Sequence, residues 1–351
     1  MNFDLKSITR KKILNLKPYS SARDEYKGKK GVFLDANENS FGSPIENQVN
    51  RYPDPLQIEL KDKLSKIKGL PIENIFLGNG SDEAIDILFR IFCEPSKDNC
   101  ILCPPTYGMY EVSANINDVG VIKVNLTEEE FQLNTPEIFN SINDNTKLIF
   151  VCCPNNPTGN GMKWKDIQII LENFKGIVVV DEAYINFASY RSLIPELLNY
   201  PNLVILQTFS KAWGLAGLRI GMAFASEPII DLFNKIKPPY NINSVSQKLA
   251  IEALTNIDQI NNWIKETVKE RNYLIEGLSK FKFINKIYPS EANFILIKVA
   301  DANGLYNYLA GKQIITRNRS NVTLCENCIR ITIGTPDENK VLLDTLNNYK
   351  S

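Results

Sequence analysis

The chain has 351 residues, 44% hydrophobic and 23% charged, a composition that excludes disorder or a fibrous repeat and a length that favours two lobes over one compact core. Forty basic residues balance forty acidic ones with no long like-charge block, so nothing offers the footprint that nucleic acid or an anionic membrane requires. Histidine is absent, which excludes histidine triads, histidine general bases and most catalytic zinc sites.

Charges interrupt the apolar residues of the amino-terminal stretch too often for a signal peptide, and no apolar run reaches membrane-spanning length, so cytoplasmic residence is expected. Seven cysteines read as reduced thiols. Cys100/Cys103 and Cys325/Cys328 have metal-like spacing, but the first pair lies in a strand-like run whose alternation sends residues three apart to opposite faces. No metal is expected.

Residues 1–30 show little sheet pattern and read as an arm that packs on a small domain or on a partner subunit. From residue 31 to 240, buried-type strands alternate with amphipathic stretches, the pattern of a large α/β domain with a mostly parallel central sheet flanked by helices. The Pro238-Pro239 pair marks its exit, and residues 241–351 read as a smaller α+β domain opening on a long helical stretch over 243–279.

In such a sheet, ligands bind beyond the carboxyl ends of the strands, so polar residues directly after apolar runs are the candidates. Gly80, Ser81 and Asp82 follow NIFLGN, where glycine allows close backbone approach and a helix amino terminus suits a phosphate; a tight turn alone would also explain them. Asn155 and Asn156 follow KLIFVCC between prolines that hold them extended. Asp181, with Tyr184 three residues on, ends GIVVV, where a buried carboxylate demands a partner; capping a helix is the plain alternative. After NLVILQT come Ser210, Lys211 and Arg219. A lysine among Gly, Ala and Trp makes a good Schiff-base former, because desolvation lowers its pKa, and Arg219 can return to the same pocket as a phosphate clamp.

The combined spacing of Asn156-Pro-Thr-Gly, Asp181-Glu-Ala-Tyr184 and Ser210-Lys211 through Arg219 resembles the fold-type I pyridoxal-phosphate-dependent aminotransferases across essentially the whole chain. The resemblance implies the cofactor pyridoxal 5'-phosphate, bound to Lys211 as an aldimine, with Lys211 also shuttling the substrate proton. It implies that Asp181 pairs with the pyridine nitrogen, that Asn156 and Tyr184 bond the ring oxygen and that Tyr107 stacks on the ring. Ser210, Arg219 and the backbone of Gly80, Ser81 and Asp82 would hold the phosphate.

LDANEN around Asn37, RYPDP from Arg51, CPPTYGMY from Cys103, CIRITIGT from Cys328 and Lys17-Pro18-Tyr19 are similar to the histidinol-phosphate branch of that family. That branch implies a homodimer in which Tyr52 reaches the partner's cofactor phosphate. It implies a substrate pocket formed by Tyr19, Asn37, Tyr107, Arg330 and Arg317, with Arg319 close enough to Arg317 that either could enter. The implied reaction exchanges the amino group of L-histidinol phosphate with 2-oxoglutarate. Asn186 departs from the branch, which commonly has an acidic residue there. The rival readings are an aromatic or broad-specificity aminotransferase, a phosphothreonine decarboxylase, and a non-catalytic regulator on the same fold, the last lacking room here for a DNA-binding domain.

Overall fold

The protein is described from a computed structural model that covers residues 3–19, 31–46 and 49–349. Seven strands form the larger sheet: β1 (Ile75–Asn79), β2 (Asn99–Leu102), β3 (Gly120–Lys123), β4 (Thr146–Cys152), β5 (Ile177–Asp181), β6 (Leu203–Thr208) and β7 (Ile220–Phe224). Their order is β1-β7-β6-β5-β4-β2-β3, parallel throughout except that β7 runs antiparallel to both β1 and β6. The expectation of a mostly parallel sheet is met. The central strands are buried on both faces, as their unbroken Val/Ile/Leu runs require.

Before the sheet lie two short helices, α1 (Leu5–Ile8) and α2 (Lys11–Leu14), then α3 (Ile58–Lys68). Between and after its strands come α4 (Gly80–Phe92), α5 (Met109–Ile116), α6 (Thr135–Ser141), α7 (Trp164–Asn173), α8 (Glu227–Ile236) and α9 (Ser244–Leu254). On one face α4, α5 and α8 cover Phe76, Phe150, Val179 and Leu206. On the other, α3, α6, α7 and α9 cover Leu77, Val151, Val180 and Ile205. Cys100 joins the first core and Cys103 the second, so the two thiols do point apart.

A second sheet contains β8 (Ile284–Ile287), β9 (Phe294–Val299), β10 (Arg317–Asn318) and β11 (Cys328–Thr332) in the order β10-β11-β9-β8, wholly antiparallel. It packs with α10 (Ile257–Leu278), α11 (Ala302–Gly311) and α12 (Pro336–Leu346) around its own core of Leu274, Ile295, Ile297, Leu305 and Leu342. A capping box fixes the start of α12, Thr335 accepting from the Glu338 backbone while the Glu338 carboxylate accepts in return.

Two expectations are corrected. Residues 3–16 pack on the large sheet's helices and not on the small domain, one of the two surfaces expected for them: Phe3, Leu5, Ile8 and Ile13 lie against the α4/α8 core, and Arg10 N–H donates to Ile91 O at 3.0 Å. Their apolar residues recur over two short helical turns, too brief to register as a helix pattern; residues 20–30 of the expected arm lie outside the described residues. The single helical stretch over 243–279 breaks between α9 and α10, where the Thr255 hydroxyl and Asn256 amide both donate back to Glu252 O and compete with the helix ladder. Ala250 and Leu254 of α9 share a core with Leu60 of α3, and Ile260 of α10 joins it.

The antiparallel insertion of β7 forces close backbone approach. A Cβ on Gly221 would lie 2.1 Å from Ser81 N and 2.2 Å from Gly80 C, atoms that cannot rotate away. Gly221→Ala is therefore expected to destabilise the chain by about 3 kcal/mol, the scale of overpacking a tight interior, as read from the urea midpoint.

Candidate active site

The strand ends bring the candidate residues to one edge. In the parallel run β4-β5-β6, Cys152 pairs with Asp181 and Asp181 with Leu206, so Asn156, Asp181 and Lys211 leave neighbouring strands at the same end. β7 starts where β1 and β6 finish, Asn79 opposite Ile220 and Thr208 opposite Gly221, which delivers Arg219 to that edge from the opposite chain direction. Gly80 opens α4 with φ of 69° and donates its N–H to Arg219 O at 2.9 Å. A Cβ there would lie 2.7 Å from the Arg219 guanidinium, so glycine lets that side chain lie across the helix start. Arg219 itself adopts a left-handed φ of 55°.

These elements enclose a cavity of about 680 Å³ whose walls include Gly80, Ser81, Asp82, Tyr107, Asn156, Asp181, Tyr184, Ser210, Lys211, Arg219, Arg317, Arg319 and Arg330. Asp181 is buried, and its carboxylate is satisfied as its position demands: Oδ2 accepts from Tyr110 Oη at 2.6 Å and Oδ1 from Ala183 N–H at 3.0 Å. Burial pushes its pKa up, while those two donors and the Lys211 charge pull it back. The Ala183 contact closes a local turn and does not cap a helix, the alternative considered from sequence, since the short helix that follows is capped by Tyr184.

Tyr110 escaped the sequence reading as a site residue. It is fully buried on α5, its ring stacked on Phe150 at 4.8 Å and edge-on to Tyr107 at 5.5 Å, so it reads as core; its hydroxyl alone reveals the role. The available signal was the need of a buried strand-end carboxylate for a donor.

Lys211 reaches the cavity with Nζ 5.3 Å from the Tyr184 ring. Its side chain is open along the cavity rather than enclosed, while surrounding protein and then the Arg330 charge lower its pKa. Tyr184 is buried beside Phe294 and accepts at its hydroxyl from Asn156 Nδ2 at 3.4 Å, leaving its own proton free to donate. Asn156 Oδ1 accepts in turn from Arg330 Nη1, and that guanidinium lies over the Phe294 ring at 5.1 Å. Tyr107 Oη donates to Asp82 at 3.2 Å, and Asp82 faces Arg219 at 3.5 Å. Ser210 Oγ accepts from the Thr208 hydroxyl at 3.0 Å beside the first turn of α4.

Arg317 and Arg319 both line the cavity. Tyr19, Asn37 and Tyr52 are not brought to it by this chain. Tyr19 is 75% exposed beside Lys17 and Pro55, Asn37 is exposed with a left-handed φ of 56°, and Tyr52 stacks on Tyr240 at 4.5 Å. All three sit on segments without sheet or helix of their own, which run over the surface.

Residues 30–346 match the family described as aminotransferase class I and II. A histidinol-phosphate aminotransferase of Cytophaga hutchinsonii is 55% identical over 99% of this chain and 100% of its own length. That of Parabacteroides distasonis is 52% identical over 99% of both chains. Among solved structures, the histidinol-phosphate aminotransferase of Clostridium acetobutylicum superposes with a TM-score of 0.79 at 26% identity, covering 86% of this chain and 92% of that one. A lysine, a buried carboxylate and a helix amino terminus converging at one sheet edge agree with a match that spans nearly the whole length, and the chain belongs to the class I and II aminotransferases.

Proposed function

We propose that the chain transfers the amino group of L-histidinol phosphate to 2-oxoglutarate, giving imidazole-acetol phosphate and L-glutamate in histidine biosynthesis. The observation that carries this reading is one cavity in which an amine, a buried carboxylate and an arginine-lined wall meet, in a chain whose relatives over 99% of its length bear that enzyme's name.

The cavity's donors fit pyridoxal phosphate. Amides of the first turn of α4, the Ser210 hydroxyl and Arg219 would hold the phosphate, in a cradle that a Cβ on Gly80 would fill. Asp181 would hold a proton at the ring nitrogen, Tyr184 and Asn156 would bond the ring oxygen, and Tyr107 would cover a ring face. Bound there, the cofactor supplies an electron sink for the charge left at the substrate's Cα. Lys211 Nζ would anchor the cofactor and, once the substrate's amine takes its place, would accept the proton from the substrate's Cα and hold it for return. Its depressed pKa suits this duty, since only the neutral amine accepts a proton. Arg330, held by Asn156 and Phe294, and Arg317 would receive the substrate's anionic groups.

Exposed apolar side chains along the segment before α3, among them Val32, Leu34, Phe41 and Ile45, support pairing with a second copy. In that dimer Tyr52, Tyr19 and Asn37 would complete the cavity of the partner.

The test is to add L-histidinol phosphate to the cofactor-loaded protein without any keto acid, and to follow the visible absorbance. Its conversion at far lower concentration than phenylalanine requires supports the reading. Preference for phenylalanine replaces it with an aromatic aminotransferase, and release of carbon dioxide from phosphothreonine replaces it with a decarboxylase. Tyr110→Phe removes a donor that keeps Asp181 charged, so cofactor affinity is expected to fall about tenfold, the worth of one hydrogen bond to an ion, as measured by equilibrium dialysis.

A further inference from the structure

The turn that follows Tyr184 is gripped by a residue that does not line the cavity. Tyr184 opens a short 3₁₀ helix, Ile185–Phe187, in which the Phe187 N–H donates back to Tyr184 O at 3.0 Å. Arg271, buried on α10, donates from one nitrogen, Nη1, to two carbonyls at once: Phe187 O at 3.2 Å and Ala292 O at 2.9 Å. The first carbonyl belongs to the loop after β5 and the second to the turn before β9.

Glu291, next to Ala292, completes the grip. Its carboxylate accepts from the Ser189 N–H at 2.7 Å and from the Ser189 hydroxyl at 2.8 Å, and lies 4.0 Å from Arg271 Nη2. Its own N–H donates to Gly159 O at 2.7 Å, in the turn that carries Asn156. Gly159, with φ of 85°, permits that approach, since a Cβ there would lie 2.7 Å from Ser290 Oγ.

A buried guanidinium is costly unless fixed acceptors meet its donors, and Arg271 meets acceptors on both of the segments that it joins. Each segment carries part of the cavity wall. Tyr184 leans edge-on against the Phe294 ring at 5.1 Å, and Phe294, two residues past Ala292, also lies under the Arg330 guanidinium. Phe187 and Ala292 belong to the same small apolar cluster as Tyr184 and Phe294. Removing Arg271 leaves two buried carbonyls without their shared donor and unties the turn that aims Tyr184.

We propose that Arg271 is a positioning residue for the reaction: with Glu291 it holds the Ile185–Phe187 turn so that the Tyr184 hydroxyl stays aimed at the cofactor's ring oxygen. The inference rests on the functional reading above, in which Tyr184 donates to that oxygen. A donor favours the ionised form of the oxygen that it reaches, so the proton nearest that oxygen leaves at lower pH while Tyr184 is in place. Loss of aim therefore raises the pH at which the bound cofactor's visible absorbance changes.

The experiment titrates that absorbance against pH in the cofactor-loaded wild type, Arg271→Gln, Arg271→Lys, Tyr184→Phe and the Arg271→Gln/Tyr184→Phe double variant, with kcat and KM for L-histidinol phosphate measured alongside. Tyr184→Phe is expected to raise the midpoint by about one pH unit, the tenfold worth of a hydrogen bond to an ion, and Arg271→Gln by roughly half a unit. Arg271→Gln is also expected to lower kcat more than it changes KM. The double variant is expected to match Tyr184→Phe alone, because two changes that act through one hydroxyl do not add. Arg271→Lys is expected to recover part of the shift, as charge returns without the planar fork. Should Arg271→Gln fail to fold, Glu291→Gln decides in its place, keeping the side chain's shape while removing its charge, with a shift expected in the same direction. A midpoint unmoved by the Arg271 or Glu291 variant, or shifts that add in the double variant, overturn the inference and leave Arg271 a purely structural residue. A midpoint unmoved by Tyr184→Phe overturns instead the placing of Tyr184 at the ring oxygen, and this inference with it.

Discussion

Lys211→Ala is expected to lose the visible absorbance of the bound cofactor and to lower turnover by about 10⁴-fold, the upper end of what a positioned general base contributes. The size of the loss follows from the lack of a substitute. Asp181 is buried and already holds Tyr110 and Ala183. Burial keeps the phenols of Tyr107 and Tyr184 well above their usual range, so neither is a base at neutral pH. Asp82 is occupied by Arg219 and Tyr107. Lys211 is thus the amine that reaches the reacting carbon. Titrating the cofactor into the variant and following single turnover, with and without added methylamine, separates lost chemistry from lost folding: partial recovery by the small amine would show an intact cavity short of one nitrogen. Turnover like that of the wild type without any added amine would sink the mechanism.

Asp181→Asn is expected to lower kcat by roughly 10²- to 10³-fold while leaving the fold intact, because it removes a preorganised charge and keeps the shape. The amide oxygen can still accept from Tyr110, whose hydroxyl would otherwise be stranded. What disappears is the negative charge facing the ring nitrogen, and with it the reason for that nitrogen to keep its proton. The same substitution relieves the desolvation of a buried carboxylate, so thermal stability without cofactor should stay level or rise. Parallel measurements of kcat and of the apo-protein's Tm decide the matter. A large fall in Tm with little change in kcat would assign Asp181 to the architecture instead of the chemistry.

Much of this was legible in the residues because the chemistry sits at strand ends. Asp181 and Lys211 follow apolar runs that can only be buried strands, and a charged residue there declares itself against the background. The direction of β7 was not legible, since an antiparallel strand within a parallel sheet has the same apolar run as its neighbours; only the closeness of Gly221 to Ser81 betrays it. Tyr110 was hidden because its ring satisfies every expectation of a core residue while its hydroxyl does something else. The Arg317/Arg319 question needed register: sequence distance cannot say that two residues flank a partner strand on one face, and the pairing of Arg317 with Arg330 does. The arm and Tyr52 lie beyond what one chain's own contacts determine.

All seven thiols are buried and unpaired, including the adjacent Cys325 and Cys328. The native protein should therefore be silent to a polar thiol reagent, and each opening that exposes a cysteine becomes a countable chemical event. Cys93 and Cys100 would report the large sheet and its α4 face, while Cys325 and Cys328 would report the loop beneath the arginine wall. Timed alkylation followed by peptide mapping would then give the opening rate of each half separately, and would show whether filling the cavity slows one clock or both.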